Sequence, residues 1–390
     1  MLFNIAPKFT LLTPLCSLCP LWLITIDVPS RMKKRPLIIP IFIPQEGCRH
    51  RCVYCDQPTI SGASRAPWNR HSIRQYVQSY LPHRHRYPVQ LAFYGGSFTL
   101  LSEARQRLFL ESAQEFIQRG QVHSLRLSTR PDAIEDDNLR FLQAMGVHTI
   151  ELGAQSFNDT VLAASARGHC SKDIYEATER LKKHSFEVGL QLMPGLPGDN
   201  RETFLETVGR SIALAPSFVR IYPTIVLSST PLERLFRSGR YRPLSLKEAV
   251  DWCKAGKQNF DSCSIPVIRM GLQPTTTLEE PGRIVAGPYH PAFGQLVNSA
   301  IWQERISPAL RKARLKSPRL VIHTPSSQLS EIRGHHNSNI NGWLKELKLS
   351  SLETVASDQI GAGEFRITVQ SETGETGGRA TRGFQRAACS

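Results

Sequence analysis

From Pro36 onward, short apolar runs alternate with longer stretches in which apolar side chains recur every three or four residues. The first pattern is that of a buried strand, the second that of an amphipathic helix. Strands are expected at Leu37–Ile43, Val89–Tyr94, Ser124–Ser128, Thr149–Leu152, Val188–Leu192 and Phe218–Tyr222, with Ile265–Leu272 as a further one. Pro40 lies inside the first run. A residue without a backbone N–H belongs on an edge strand. Helices are expected at Ser102–Arg119, Ile134–Met145, Ser171–His184, Arg201–Leu214 and Ser245–Phe260, with Gly120 and Gly146 as stops for the first two. Strands and helices in alternation indicate a parallel sheet with crossover helices. Six such units within residues 36–272 fit an α/β fold, a partial (β/α)6 barrel.

Beyond Gly287 the alternation fades. Leu296–Leu310 reads as a helix and Trp343–Leu352 as a second, short one. Residues 273–352 are expected to form a small C-terminal extension packed on the barrel. From Ser371 to Ser390 the chain is rich in Gly, Thr, Ser, Glu and Arg, which predicts disorder. At the other end, Leu11–Val28 is mostly apolar with Lys8 upstream, loosely like a signal peptide. Pro14 and Pro20 interrupt it, and no clean small-residue cleavage site follows. Met32 directly precedes Lys33-Lys34-Arg35-Pro36 and the first convincing strand. Residues 1–31 are therefore read as an extension outside the fold, with Met32 as the start. A membrane anchor is the competing reading. Cys16 and Cys19 have C-x2-C spacing but no partner pair, and are read as incidental.

Composition is that of a globular protein, with 41% hydrophobic and 21% charged residues in a chain of 390. The net charge of +15 changes the picture. A basic excess of this size suits a polyanionic partner, nucleic acid first. A solvated basic face would explain it equally well. Candidate phosphate contacts are the runs Arg65–Arg74, His83–Arg86 and Arg311–Arg319. Nine cysteines in this length do not make a disulfide framework. Three of them crowd into residues 48–55, which suggests a metal site and a reducing, cytoplasmic setting. Cys253 and Cys263 are widely spaced in a helical context and are read as buried or incidental thiols.

The cysteine loop runs Gly47-Cys48-Arg49-His50-Arg51-Cys52-Val53-Tyr54-Cys55, a C-x3-C-x2-C spacing. Thiolates are the usual ligands of iron–sulfur clusters, and close spacing lets one loop wrap one cluster. Three thiolates on a cubane leave one iron open, as in a catalytic rather than a structural centre. Arg49, His50 and Arg51 bring positive charge, which favours the thiolate form. A zinc site with a distant fourth ligand is the alternative; no second C-x2-C pair is placed to complete it. The loop follows the first strand, and barrel enzymes build active sites at strand C-termini.

With its aromatic Tyr54 before the last cysteine, this loop resembles the signature of radical S-adenosylmethionine (SAM) enzymes. The resemblance implies a 4Fe-4S cluster on Cys48, Cys52 and Cys55. It also implies SAM chelated to the open iron, reductive cleavage to a 5′-deoxyadenosyl radical, and an electron donor such as ferredoxin or flavodoxin. Tyr94-Gly95-Gly96-Ser97-Phe98 follows the second strand. Paired glycines admit a close backbone approach, and by the resemblance Gly95 and Gly96 receive the SAM amino group. Ser97 stands where most members have Glu; Elongator-type members carry a small hydroxyl residue there. Glu151-Leu152-Gly153-Ala154-Gln155-Ser156 and Arg167-Gly168-His169 resemble the "GxQS … RGH" pattern of this branch, which assigns Gln155 and Arg167 to SAM. A guanidinium fork suits the SAM carboxylate. Gln191 falls where relatives place a ribose contact. Thr129-Arg130-Pro131-Asp132, Met193-Pro194-Gly195-Leu196-Pro197 and Arg220-Ile221-Tyr222-Pro223 close other strands in the same order as in the Elongator catalytic subunit.

The resemblance covers residues 36–300 and fits a short bacterial form without the acetyltransferase domain. It implies radical modification of an RNA, tRNA above all, with no membrane association. Two alternatives stay open: a radical SAM oxidase or transferase acting on a small molecule such as a porphyrin, and a non-catalytic RNA-binding protein with a vestigial cluster.

Overall fold

The computed structural model describes residues 36–62, 67–81 and 88–369. The N-terminal extension, the tail from Ser371, Arg65 and the His83–Arg86 run lie outside them. The strands are β1 (Leu37–Phe42), β2 (Val89–Tyr94), β3 (Ser124–Thr129), β4 (Val147–Gln155), β5 (Glu187–Leu192), β6 (Phe218–Ile221), β7 (Val226–Leu227), β8 (Val267–Met270), β9 (Ile284–Ala286), β10 (Arg319–Thr324), β11 (Ser351–Ala356) and β12 (Arg366–Val369). The helices are α1 (Gln57–Ser61), α2 (Arg70–Tyr80), α3 (Glu103–Gln118), α4 (Asp136–Ala144), α5 (Asp159–Ala164), α6 (Ser171–Lys183), α7 (Arg201–Ala213), α8 (Pro231–Arg237), α9 (Leu246–Ser262), α10 (Phe293–Arg314), α11 (Leu329–Arg333) and α12 (Ser338–Glu346).

Seven strands form one sheet in the order β1-β2-β3-β4-β5-β6-β8, curled into a half-barrel. Every neighbouring pair is parallel. The expected strands are all present within a few residues, and β8 is the further one. Pro40 sits on β1, at one edge of the sheet. Its missing N–H therefore interrupts no ladder on the open side. The outer faces of the strands are covered by helices whose apolar side chains point inward. Phe109, Leu110 and Phe116 of α3 are fully buried against Phe93, Leu125 and Leu127. The Ser102 hydroxyl caps α3 by accepting from the Arg105 N–H.

Two elements depart from expectation. The basic stretch after the cysteine loop contains α2, held by an Asn69–Ser72 capping box and by buried Ile73 and Val77 one turn apart. Only two apolar positions carry its inner face, so arginine, histidine and tyrosine hide the period. Trp343–Leu352 is not one helix: α12 ends at Glu346, and Leu352 lies in β11.

A second core explains that change. β10 pairs parallel with β11 and antiparallel with β12. The 22-residue α10 serves both cores. Its Phe293 and Val297 pack with the half-barrel. Its Trp302, Ile306 and Leu310 pack with Leu320, Ile322 and Trp343. Strand β11 forms because Leu352 is needed in this second core and β10 offers it a ladder.

Candidate active site

One cavity of about 1180 Å³ opens at the C-terminal ends of the strands. Its wall includes Cys48, Cys52, Tyr54, Cys55, Gly95, Gly96, Ser97, Gln155, Arg167 and Gln191. All ten residues singled out in the sequence thus meet at one place, although they come from loops and strand ends spread over 144 positions, from 48 to 191.

The cysteine loop is held by its neighbours rather than by its own structure. The Val53 N–H donates to the Ser165 carbonyl at 3.2 Å, and the Val53 carbonyl accepts from the Leu232 N–H at 2.8 Å. The Ser97 N–H donates to the Glu46 carbonyl at 2.8 Å. Gly96 has φ +59°, and a Cβ there would lie 2.2 Å from the Glu46 carbonyl oxygen. Its lack of a side chain is therefore required by the cysteine loop itself, beyond any approach to a ligand. The Gln57 side-chain oxygen accepts from both the Gly96 N–H and the Gln45 N–H, which ties the two loops together. Ser97 is fully buried, with its Oγ 3.6 Å from Cys48 Sγ. A hydroxyl at this position reaches a thiol.

Arg167 is buried. Its Nη1 donates to Cys52 Sγ at 3.1 Å and to the Tyr54 hydroxyl at 3.3 Å, and its Nη2 donates to the Gly153 carbonyl at 2.6 Å. Its Nε and the Gln155 Oε1 are buried without partners. Both residues line the cavity, and buried polar atoms left without a partner mark a place that a polar group is needed to complete. Arg130 forks onto Asp132 with two hydrogen bonds of 2.9 and 3.0 Å and donates to the Arg167 carbonyl at 2.6 Å. The Thr129-Arg130-Pro131-Asp132 run thus positions Arg167 through its backbone. Gly168 has φ +70° and lies flat against the His50 ring, where a Cβ would meet it at 2.6 Å. The neighbouring His169 is buried, and its imidazole is pushed down to about 4 by that burial and by Arg167 and Arg130, so it stays neutral.

At Cys55 burial outweighs the local positive charge that the sequence suggested would favour a thiolate. Cys55 is pushed up to about 12 by burial and by the nearby Cys52 and Cys48, against the pull of Arg167. Like charges close together cannot ionise freely. Three such thiols ionise together only opposite a strongly cationic centre, which is the condition a metal cluster meets. Among the described residues no three ligating side chains already stand gathered about one point.

A second constellation escaped the sequence reading. Glu151 of β4 has no exposed surface. It accepts from Arg126 Nη1 at 2.9 Å, the Tyr94 hydroxyl at 3.0 Å, Gln191 Nε2 at 3.0 Å and Arg220 Nη2 at 3.1 Å. Arg220 Nε lies 2.8 Å from the other carboxylate oxygen, at an angle that makes it a charge contact without a hydrogen bond. Burial and the Glu151 charge push the Tyr94 phenol up, so it remains a neutral donor. Gln191 is therefore engaged with Glu151 within the wall. The available signal was a charged residue within each of three buried strands: Arg126, Glu151 and Arg220. A parallel sheet with both faces covered has no place for such charges unless they meet one another.

The comparisons with known proteins agree with this geometry. The radical SAM superfamily model matches residues 42–210, and the radical SAM C-terminal domain model matches residues 216–303. The chain thus carries a radical SAM domain followed by a radical SAM C-terminal domain. Among radical SAM proteins it resembles the Elongator branch. It is 30% identical over 152 residues to the tRNA uridine(34) acetyltransferase of Methanocaldococcus infernus, covering 38% of this chain and 28% of that protein. It is 26% identical over 239 residues to Elongator complex protein 3 of Bos taurus, covering 51% of this chain and 44% of that protein. The chain thus spans less than half the length of these relatives. The solved archaeal Elp3 of Methanocaldococcus infernus shares the fold, with a TM-score of 0.54 and 21% identity over 69% of this chain and 63% of that one. Among the described residues no helix is long and apolar enough to cross a membrane.

Proposed function

We propose that this protein cleaves SAM reductively at a 4Fe-4S cluster on Cys48, Cys52 and Cys55 and uses the reaction to modify an RNA, most directly a tRNA. The observation that carries the reading is the convergence of the three thiols, Arg167 and Gln155 on one cavity. The unpartnered Arg167 Nε and Gln155 Oε1 are suited to the polar methionyl end of SAM. When bound, the cluster and SAM supply one-electron cleavage of a carbon–sulfur bond. The chain's own part is to orient and to exclude water. Arg167 donates to Cys52 and is positioned by Arg130. Gly96 lets the second loop seat against the first. Glu151 holds the polar layer beneath the cavity. Ferredoxin or flavodoxin is the proposed class of electron donor, and a cytoplasmic setting follows from that chemistry.

The net charge of +15 and the tRNA-modifying relatives support RNA as the substrate. The structure refines which cations are free to meet it. Arg70 and Arg74 pair with Glu111 and Glu115, and Arg311 pairs with Glu346. Lys312, Lys316 and Arg319 take part in no ion pair among the described residues. The test is anaerobic reconstitution with dithionite and SAM, with and without bulk tRNA. Cluster-dependent 5′-deoxyadenosine that rises with tRNA supports the reading. tRNA affinity should also fall by orders of magnitude between roughly 50 and 200 mM salt, as phosphate contacts release counterions. If tRNA changes neither quantity, a small-molecule substrate takes its place.

A further inference from the structure

The cavity wall carries Arg51, Arg130, Arg167, Arg220 and Arg269, against the single carboxylate of Glu151. Most of these guanidiniums are accounted for. Arg130 has Asp132, Arg167 has the Cys52 thiol and the Gly153 carbonyl, and Arg220 has Glu151. Arg51, exposed in the cysteine loop, also has no ion pair among the described residues; Arg269 differs from it in being half-buried on a strand of the sheet. Its Nε reaches only the Gly271 carbonyl at 3.2 Å, and among the described residues it has no carboxylate.

Its position makes that unusual. Arg269 on β8 and Arg220 on β6 are direct partners in a parallel ladder. Registered partners project to the same face, although the ladder shifts register between Val219 and Arg220. Arg220 is turned to Glu151 and Tyr222 and Arg269 to the Gly271 carbonyl, so of the two only Arg269 is left without a countercharge. Glu151 already serves Arg126 and Arg220, so it does not neutralise a third cation. Tyr222 adjoins them: its hydroxyl accepts from Arg220 Nη1 at 3.2 Å, which leaves its own proton free to donate. Tyr222 and Arg269 both line the cavity.

We propose that Arg269 and Tyr222, backed by Arg220, form an oxyanion subsite that binds a phosphate group of the substrate. This deepens the RNA reading and rests on it for the source of the phosphate. A guanidinium edge and a hydroxyl donor together match the oxygens of a phosphate. The placement is also suited to the chemistry. The cysteine loop follows β1, one edge of the curled sheet, and Arg269 sits on β8, the other edge. A nucleotide anchored by its phosphate at β8 therefore extends its sugar and base across the cavity towards the cysteine loop.

The test uses the full chain, reconstituted and saturated with SAM so that SAM's own carboxylate is not the anion measured. Uridine 5′-monophosphate and uridine are titrated by calorimetry against the wild type, Arg269→Gln and Arg269→Lys. The expected result is a preference for the monophosphate of about tenfold or more, as charge-assisted hydrogen bonds provide. Arg269→Gln should abolish that preference and Arg269→Lys should keep part of it, while iron content and SAM affinity stay at wild-type values. No preference in the wild type, or a preference that survives Arg269→Gln, overturns the subsite. The two readings fail separately. If tRNA stimulates SAM cleavage but the phosphate preference is absent, only the subsite is lost. If the preference is present and tRNA has no effect, the subsite stands and the substrate is a small phosphorylated molecule.

Discussion

Arg167 Nη1 donates to Cys52 Sγ across 3.1 Å, although 115 positions separate the two in sequence. The contact joins the loop between α5 and α6 to the loop after β1, and both guanidinium and thiol are buried. An arginine at this place neutralises thiolate charge and leaves its Nε for another ligand. It also ties the geometry of the cysteine loop to that of the SAM-facing wall.

Iron content follows from that arrangement. Wild-type protein reconstituted without oxygen should hold about four irons per chain, as a three-thiolate cubane does. Cys52→Ser should lower this to background, as should Cys48→Ser and Cys55→Ser. Cys170→Ser and Cys253→Ser should retain it, because Cys170 caps α6 at the surface and Cys253 is buried in α9. Unchanged iron in Cys52→Ser would exclude the assignment.

Two glycines separate backbone strain from packing. Gly96 and Gly120 both have positive φ, but only at Gly96 does a Cβ meet another backbone atom within 2.2 Å; at Gly120 it meets nothing within 4 Å. Gly120→Ala should therefore lose about 1–2 kcal/mol from its left-handed conformation alone. Gly96→Ala should lose on the order of 3 kcal/mol or more, since the Glu46 carbonyl must also move. Urea midpoints of the two variants measure the difference.

Removal of the buried carboxylate should be severe. Glu151→Gln leaves Arg220 without a countercharge in the sheet interior and Arg126 with only Glu187, 3.9 Å away. The expected loss is about 3–5 kcal/mol, the usual range for one partner removed from a buried pair. Gln191→Ala, which removes one donor and no charge, should lose only about 1 kcal/mol. Equal melting temperatures for the two variants would contradict the role given to Glu151.

An acid-labile cap lies at the start of α9. The Glu248 carboxyl is held down at about 2 by hydrogen bonds from the Arg242 side chain and from Ser245. Its folded value is below its unfolded value, so its contribution is complete above the ordinary glutamate range. It is lost as pH falls from about 4.5, the unfolded glutamate range, towards 2. Glu248→Gln should be less stable than wild type at pH 7, and the gap between their melting temperatures should narrow below about pH 4.5 and close near pH 2. A gap that stays constant with pH would show that the carboxylate charge is not involved.

The local period of the chain was enough to place six parallel strands, the edge position of β1 and five outer helices. Such elements are encoded by their own residues: apolar runs such as Val89–Tyr94, and glycines where the helices stop. The site residues were legible for a similar reason. Cys48, Cys52 and Cys55 lie close together, Gln155 closes β4, and Arg167 belongs to a short Arg-Gly-His run twelve residues further on. Helix α2 was not legible, because its buried face is only Ile73 and Val77. Strand β11 was not, because it exists through its ladder to β10 and the place of Leu352 in a distant core. Nor was the role of Gly96, which depends on a carbonyl from another loop. The charges of Arg126, Glu151, Arg220 and Arg269 stand one by one in the sequence of their strands. Their pairing belongs to the tertiary structure alone. A strand's sequence says which residues share its faces, but the curl of the sheet and the register of its neighbours decide which charge meets which, and which guanidinium is left without a countercharge.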